Sequence, residues 1–284
     1  MIESLWPMLP DRNPLGNFID KIAHRLGRVP GFCNICGGLT VFNSAQNNLR
    51  EYVGCSRCQS VNRQRQIAAV LLSEALHGRA SRLASIHQLP EHLTIWNAET
   101  TRALHAGLTQ HFRGKYLSSE YIDPEMHSGE LRDGIMHVDM QQTHFADESI
   151  DYILSGDVLE HMPDPVKALR ESFRVLKAGG AHIFTVPFYH HRFTVERRAE
   201  ITPDGSIRHL RQAWLHNDPV RPSEGALVFN VFAPELLGEI EKIGFEARLL
   251  LLLSPFHGIY GNNAIVIVAR KTVPPDHARD WIFS

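Results

Sequence analysis

The sequence predicts an α/β protein with a doubly wound, mainly parallel sheet and a small N-terminal module organised around cysteines. Three observations carry this expectation. From about residue 91 onward, short apolar runs alternate with helical patterns. Parallel strands need crossover helices, so such alternation builds βαβ units. All four cysteines fall in one stretch, as Cys33-x-x-Cys36 and Cys55-x-x-Cys58 with 18 residues between the pairs. The chain has 284 residues, 43% apolar and 21% charged, a globular composition at a length that buries a full core.

Residues 1–30 read as an irregular arm with a short amphipathic helix near Phe18–Leu26. The cysteine pairs follow. Two thiolates at this spacing grip one ion from a tight turn, and two such turns complete a tetrahedron. Gly37, Gly38 and Gly54 flank the pairs, and glycine admits the positive φ such turns need. A strand-like stretch, Leu39 to Asn43, lies between them. The expectation is structural Zn²⁺ on Cys33, Cys36, Cys55 and Cys58, with no position left open for catalysis. An iron–sulfur cluster is the rival metal centre; disulfides or free thiols are the metal-free alternatives, and a reducing compartment disfavours disulfides.

Apolar spacing at Ile67, Val70, Leu71 and Ala75 predicts a helix over Asn62–Leu76. The implied division is an arm and cysteine module over 1–62, a linking helix over 63–90, and a main domain over 91–284. In that domain the strand candidates are Leu93–Asn97, Tyr116–Glu120, Ile135–Val138, Tyr152–Ser155, His182–Val186, Ala247–Leu253 and Ala264–Ala269. Helices are expected over Thr101–His111, Asp164–Leu176 and Pro234–Ile243. Ligands of such sheets sit at the carboxyl ends of the strands, so the residues just after each strand are the candidates for chemistry.

Charge and hydropathy narrow the function classes. Lys plus Arg is 29 against 31 acidic residues, a net charge of −2, which does not suggest a whole-chain polyanion binder. The halves differ: residues 1–90 hold ten basic and five acidic side chains, and the remainder is correspondingly acidic. No apolar run approaches the roughly 18 residues of a membrane span. Glu3 and Asp11 stand where a secretory signal has a basic start and a long apolar stretch. The expected location is cytoplasmic, with no membrane partner.

The segment from Phe145 through Ser155-Gly-Asp-Val-Leu-Glu-His-Met-Pro-Asp-Pro, and on through Arg174-Val-Leu-Lys-Ala-Gly-Gly to Pro187, resembles the class I S-adenosylmethionine-dependent methyltransferases of the type 11 branch. Within it only Ala178, where proline is usual, departs from the family run. The resemblance is specific over 139–188, looser over 91–270, and does not reach the cysteines. It implies a Rossmann-like, seven-stranded doubly wound sheet with an antiparallel last strand, and S-adenosylmethionine as cofactor.

On that resemblance Glu120, with Tyr121 beside it, ends the second strand where a carboxylate accepts hydrogen bonds from both ribose hydroxyls. Asp139 would meet the adenine amino group and Met140 would pack on the ring. Ser155, Gly156 and Asp157 end the fourth strand, where glycine lets the backbone approach a ligand closely. Gly179 and Gly180 are expected to end the preceding helix. The first strand departs from the family: Ile95-Trp-Asn-Ala-Glu-Thr-Thr-Arg-Ala-Leu-His105 contains no glycine. Either its turn takes another path, with Asn97, Glu99 and Thr100 offering polar contacts, or cofactor binding is impaired.

His161, Tyr189 and His190 are the candidate catalytic side chains, because an oxygen or nitrogen acceptor needs a base near neutral pH. His161 has helix capping as its competing role. Residues 188–232, with Arg192, Arg197, Arg198, His209 and His216, read as an insertion forming a lid or substrate wall. Its arginines suit a carboxylate or phosphate on the acceptor. A second metal site from His190, His191, His209 and His216 is weighed and disfavoured, since no i,i+4 pair supports it. The leading function is methyl transfer to a small metabolite or biosynthetic intermediate. The alternatives are an RNA methyltransferase that grips phosphates near Arg57, Arg63 and Arg65, and a non-catalytic, degenerate methyltransferase fold.

Overall fold

The computed structural model describes residues 21–22, 25–43, 53–100, 102–218, 223–261 and 264–272. The helix expected near Phe18–Leu26 falls largely outside these. Three short antiparallel strands form the cysteine module: β1 (Arg28–Cys33), β2 (Gly38–Asn43) and β3 (Gly54–Cys55). Helix α1 (Asn62–Ala75) then leads into the main sheet.

The main sheet contains β4 (Thr94–Asn97), β5 (Lys115–Glu120), β6 (Leu131–Arg132), β7 (Ile135–His137), β8 (Ile150–Gly156), β9 (Leu176–Thr185), and two late strands, β16 (Phe245–Leu251) and β17 (Ile265–Lys271). Its order is β16-β17-β9-β8-β4-β5-β7-β6. Strands β7, β5, β4, β8 and β9 run parallel, and β17 is antiparallel to both β9 and β16. All seven expected strands are present. The eighth, β6, is a two-residue hairpin partner of β7 at the sheet edge, too short to announce itself in the sequence.

Each central strand sends successive side chains to opposite faces. Ile95, Leu154, Ile183 and Val268 enter one core with α1, helix α2 (Arg102–His111) and the cysteine module. Trp96, Ile153, Phe184 and Ile267 enter the other, with α3 (Pro165–Val175) and α4 (Glu235–Ile243). Helix α3 starts at Pro165, whose fixed φ suits the first helical position, and Asp164 accepts a hydrogen bond from the Lys167 amide at 3.0 Å. Its buried residues Ala168, Leu169, Ser172 and Val175 fall on one stripe.

One expectation about glycine is corrected. Helix α3 ends at Val175, and Gly179 and Gly180 lie within β9, not at a helix cap. Gly179 has φ +81° and the β8–β9 register shifts nearby. A Cβ on Gly180 would lie 2.8 Å from the Asp151 carbonyl oxygen, so these glycines serve a bulge in which two backbones approach closely.

The cysteine module shares the first core: Cys33, Phe42, Val53 and Cys55 are buried in one cluster with Ile67, Leu71 and Val266. The segment 188–232 folds into small two-stranded ribbons. These are β10 (Glu196–Arg197) with β15 (Asn230–Val231), β11 (Ala199–Ile201) with β12 (Ile207–His209), and β13 (Leu215–His216) with β14 (Ala226–Leu227). Among the described residues no helix is long and apolar enough to cross a membrane.

Candidate functional site

Parallel β4, β5, β7 and β8 end side by side, and the loops beyond them are tied together by polar side chains. Beyond β4 the chain takes a path without glycine. Asn97, buried at the end of the strand, donates from Nδ2 to the Glu99 carbonyl at 2.8 Å and meets the Tyr116 hydroxyl at 3.2 Å. The Thr100 amide and hydroxyl both donate to Oε1 of Glu120, at 2.7 and 2.9 Å. Trp96 is fully buried in the second core and donates to the Ser119 hydroxyl at 2.9 Å.

Glu120 is thus half-buried at the β5 tip with both bonds on one oxygen. Burial pushes its pKa above the usual carboxylate value, with Glu99 and Asp218 adding like charge; the two Thr100 bonds oppose the shift. Asp218 belongs to the insertion, so the ribbons bring an acid toward the strand tips. Such a set of acids, partly desolvated, suits a cationic ligand whose neutral hydroxyls can donate. S-adenosylmethionine has that chemistry, and the donor set fits it.

At the β7 tip, Asp139 is partly exposed and its Oδ1 accepts the Gln141 amide at 2.8 Å. Met140 is 3% exposed within the second core, which leaves little of it for packing on a ring. Tyr121 is exposed and lies 5.1 Å from the His137 ring. At the β8 tip, buried Ser155 hydrogen-bonds Nε2 of fully buried His182 at 2.8 Å. Burial lowers the His182 pKa to about 3, so this imidazole is neutral. Asp157 takes φ +58°, and its Oδ1 accepts the Thr185 hydroxyl at 2.9 Å.

Two residues of α1 that sequence reasoning did not single out for this site reach it. Gln64 donates to Glu99 Oε1 at 3.0 Å. Arg63 donates to the Gly156 carbonyl at 3.0 Å and sits 3.6 Å from Asp157. Helix α1 therefore braces the loops after β4 and β8. The only advance signal was the position of these polar residues on a helix that follows the cysteines.

The module below α1 brings its four sulfur atoms within 4.8 Å of one another. Cys33 and Cys58 Sγ are 3.7 Å apart, and Cys36 and Cys55 Sγ 4.0 Å. These separations are far too long for disulfides, and four thiolates around one Zn²⁺ at about 2.3 Å stand roughly 3.8 Å apart. The two turns are alike: Gly37 N–H donates to Cys33 O and Gln59 N–H to Cys55 O, each at 2.9 Å. Gly37 and Gln59 both have positive φ.

Arg65 decides whether the donor set fits a metal. It has no exposed surface, and its guanidinium donates to the carbonyls of Ser60, Val53 and Gly258 and to the Ser60 hydroxyl. Burial lowers its pKa to about 10, and Cys33 and Cys55, with Tyr260 and Cys58, oppose that shift. A buried cation bonded to neutral oxygens needs an anion nearby. Four thiolates on a divalent ion carry a net double negative charge and supply one, so the residues fit.

Two arginines of the insertion are held by one acid. Arg192 pairs with Glu196 at 2.7 Å and stacks 4.3 Å over Tyr189; Arg198 pairs with the same Glu196 and faces Trp214. Arg197 is exposed. Tyr189 and His190, both partly exposed, follow β9, and the Tyr189 amide donates to Phe232 O at 2.7 Å. His161 Nδ1 lies 2.8 Å from the Leu227 carbonyl and its Nε2 3.7 Å from Glu160. Both ring nitrogens thus face protein groups.

Residues 101–184 match the family described as "Methyltransferase domain". Over these residues the chain is similar to a methyltransferase domain. A curated relative from Mycobacterium marinum, named an uncharacterized methyltransferase, is 33% identical over 105 residues, covering 35% of this chain. The match spans 40% of that relative's length. Among solved structures, an S-adenosylmethionine-dependent methyltransferase from Mesorhizobium loti has 16% identity and a TM-score of 0.41, covering 69% of this chain and 99% of its own. The Burkholderia thailandensis 1,6-didemethyltoxoflavin-N1-methyltransferase has 16% identity and a TM-score of 0.40, covering 74% and 79%. The matched segment runs from α2 through the end of β9. It includes Glu120, Asp139 and the Ser155-Gly156-Asp157 turn.

Proposed function

We propose that this protein transfers a methyl group from S-adenosylmethionine to a small metabolite or biosynthetic intermediate. The observation that carries the reading is Glu120, held at the β5 tip by the Thr100 amide and hydroxyl through one oxygen. Its carboxylate accepts the ribose hydroxyls, each charge-assisted bond contributing roughly 1.5–3 kcal/mol. Asp139 takes the exocyclic amine of the base. Asn97, Glu99 and the Ser155–Asp157 turn line the remainder. S-adenosylmethionine brings a methyl group on a sulfonium, a good leaving group, so the protein's part is to position the acceptor and exclude water. Tyr189 and His190, at the tip of the neighbouring β9, are the side chains that orient the acceptor or take its proton. Bound Zn²⁺ on the four cysteines holds α1, and through it the braces from Arg63 and Gln64.

A small acceptor is favoured over RNA by the fate of the basic residues. Of the three arginines near the second cysteine pair, Arg65 is fully buried and Arg63 is held on Gly156 and Asp157. Arg57 alone is exposed, and one cation does not make a phosphate-binding face.

Calorimetric titration of S-adenosylmethionine and S-adenosylhomocysteine into the full chain tests the reading. Binding of both is expected, weakened at least ~10-fold in Glu120→Ala, which loses the ribose bonds. Absence of binding to wild type would leave the fold without its activity and refute the proposal.

A further inference from the structure

Glu160 stands in the short helical turn Leu159–His161 after β8 and has no exposed surface. Neither of its carboxylate oxygens receives a hydrogen bond. A buried carboxylate in that condition needs a cation. Two imidazoles face its Oε1: Nδ1 of His216 at 3.4 Å and Nε2 of His161 at 3.7 Å. The Leu227 carbonyl can only accept, so His161 Nδ1 carries a hydrogen and donates to it at 2.8 Å. In the neutral ring, Nε2 then turns a lone pair toward a carboxylate. The two repel unless a positive charge lies between them.

The three ligand atoms lie within 4.8 Å of one another. Donors bound at 2.0–2.2 Å around one ion stand roughly 3–3.6 Å apart, so the two spacings from Glu160, 3.4 and 3.7 Å, lie within or close to that range. Two imidazoles and a carboxylate are the donors preferred by divalent first-row ions. We propose that Glu160, His161 and His216 bind a divalent transition-metal ion, a site separate from the cysteine module and independent of the proposed methyl transfer.

The surroundings are built for this. His216 lies on β13, and Leu227, on the paired β14, fixes the His161 tautomer in the way that second partners of ligating histidines do. Trp214 stands edge-on to His216 at 5.1 Å, and the Phe229 amide donates to the Glu160 carbonyl at 2.7 Å. The ion fastens the insertion to the turn after β8. Three protein donors leave one position of a four-coordinate ion for water. The histidines imagined from sequence as a cluster, His190, His191 and His209, are not among these ligands.

The test is Co²⁺ loading of the chelator-stripped full chain, read by elemental analysis and absorption. Cobalt on the cysteines shows sulfur-to-metal charge transfer, whereas cobalt on imidazole and carboxylate shows only weak visible bands. His216→Ala and His161→Ala should each bind about one ion per chain fewer than wild type. They should lose the weak bands and keep the thiolate bands, which also report an intact fold. Glu160→Gln, which keeps the side-chain shape, should give the same loss where an alanine disturbs the ribbon. Wild-type loading in these variants, or a wild type whose bound cobalt is all thiolate-ligated, would overturn the proposal and leave Glu160 in an ion pair with protonated imidazoles.

Discussion

The cysteine module and the Glu160 corner each gather side chains able to grip an ion, yet they differ in sequence span and in charge. The cysteines fall within 26 consecutive residues, in two turns of one local design. Glu160 and His161 are adjacent, but His216 arrives from a ribbon 55 residues further on. Four thiolates around a divalent ion leave a net negative charge, and the fold buries Arg65 beside them. One carboxylate and two neutral imidazoles leave a net positive charge, and no arginine is buried at that corner among the described residues. The buried cation lies beside the ligand set whose sum is negative and not beside the one whose sum is positive.

The largest expected effect is loss of the metal proposed on the cysteines. Binding worth on the order of 10 kcal/mol holds such modules folded, and here the module shares a core with α1 and the sheet. Chelation, or Cys55→Ser, should lower the melting temperature sharply and also weaken S-adenosylmethionine binding, because Arg63 and Gln64 lose their base. Melting curves that overlay with and without chelator would break the comparison at its first point.

Next comes Arg65→Leu, expected to destabilise the metal-loaded protein by about 3–5 kcal/mol because it removes a buried partner and orphans three carbonyls. In the metal-stripped protein the penalty should shrink, since the anion it balances is gone; denaturant unfolding of both forms measures the difference. At the other corner the sign reverses. Glu160→Gln in metal-free protein should raise stability by about 1–3 kcal/mol, as an unsatisfied buried carboxylate is removed. A loss of stability there would mean that protonated His161 and His216 already neutralise Glu160.

The same contrast explains what was legible in the sequence. Spacing and periodicity are local, so the cysteine quartet, α1 and the seven main strands could be read directly. Glu120, Asp139 and Asp157 were visible because strand tips recur at known places in this architecture. Three things were hidden. The path after β4 depends on Tyr116, Glu120 and Gln64, from other elements, meeting Asn97, Thr100 and Glu99 through hydrogen bonds. The burial of Arg65 depends on Gly258, 193 residues away. The Glu160–His216 approach depends on ribbons whose strands have only two or three residues and no periodicity to read.

The smallest effect belongs to Glu120, the acid whose partner is a ligand and not a buried side chain or resident ion. Burial raises its folded pKa above the unfolded value, so the unliganded native state binds the proton more readily than the unfolded chain does. Its contribution to stability is therefore fullest below the unfolded carboxylate pKa and is lost as pH rises through the raised folded value. Cofactor affinity runs the other way, because the charged carboxylate is the better acceptor and draws the cationic ligand; affinity should climb with pH over the same window. Glu120→Gln removes both trends. It should melt slightly higher than wild type at neutral pH without ligand, bind S-adenosylmethionine about 10-fold more weakly, and show no pH dependence of affinity across that window. A variant that binds as tightly as wild type would move the ribose contact to another residue, with Glu99 and Asp218, the acids nearest in charge to Glu120, first to be tried.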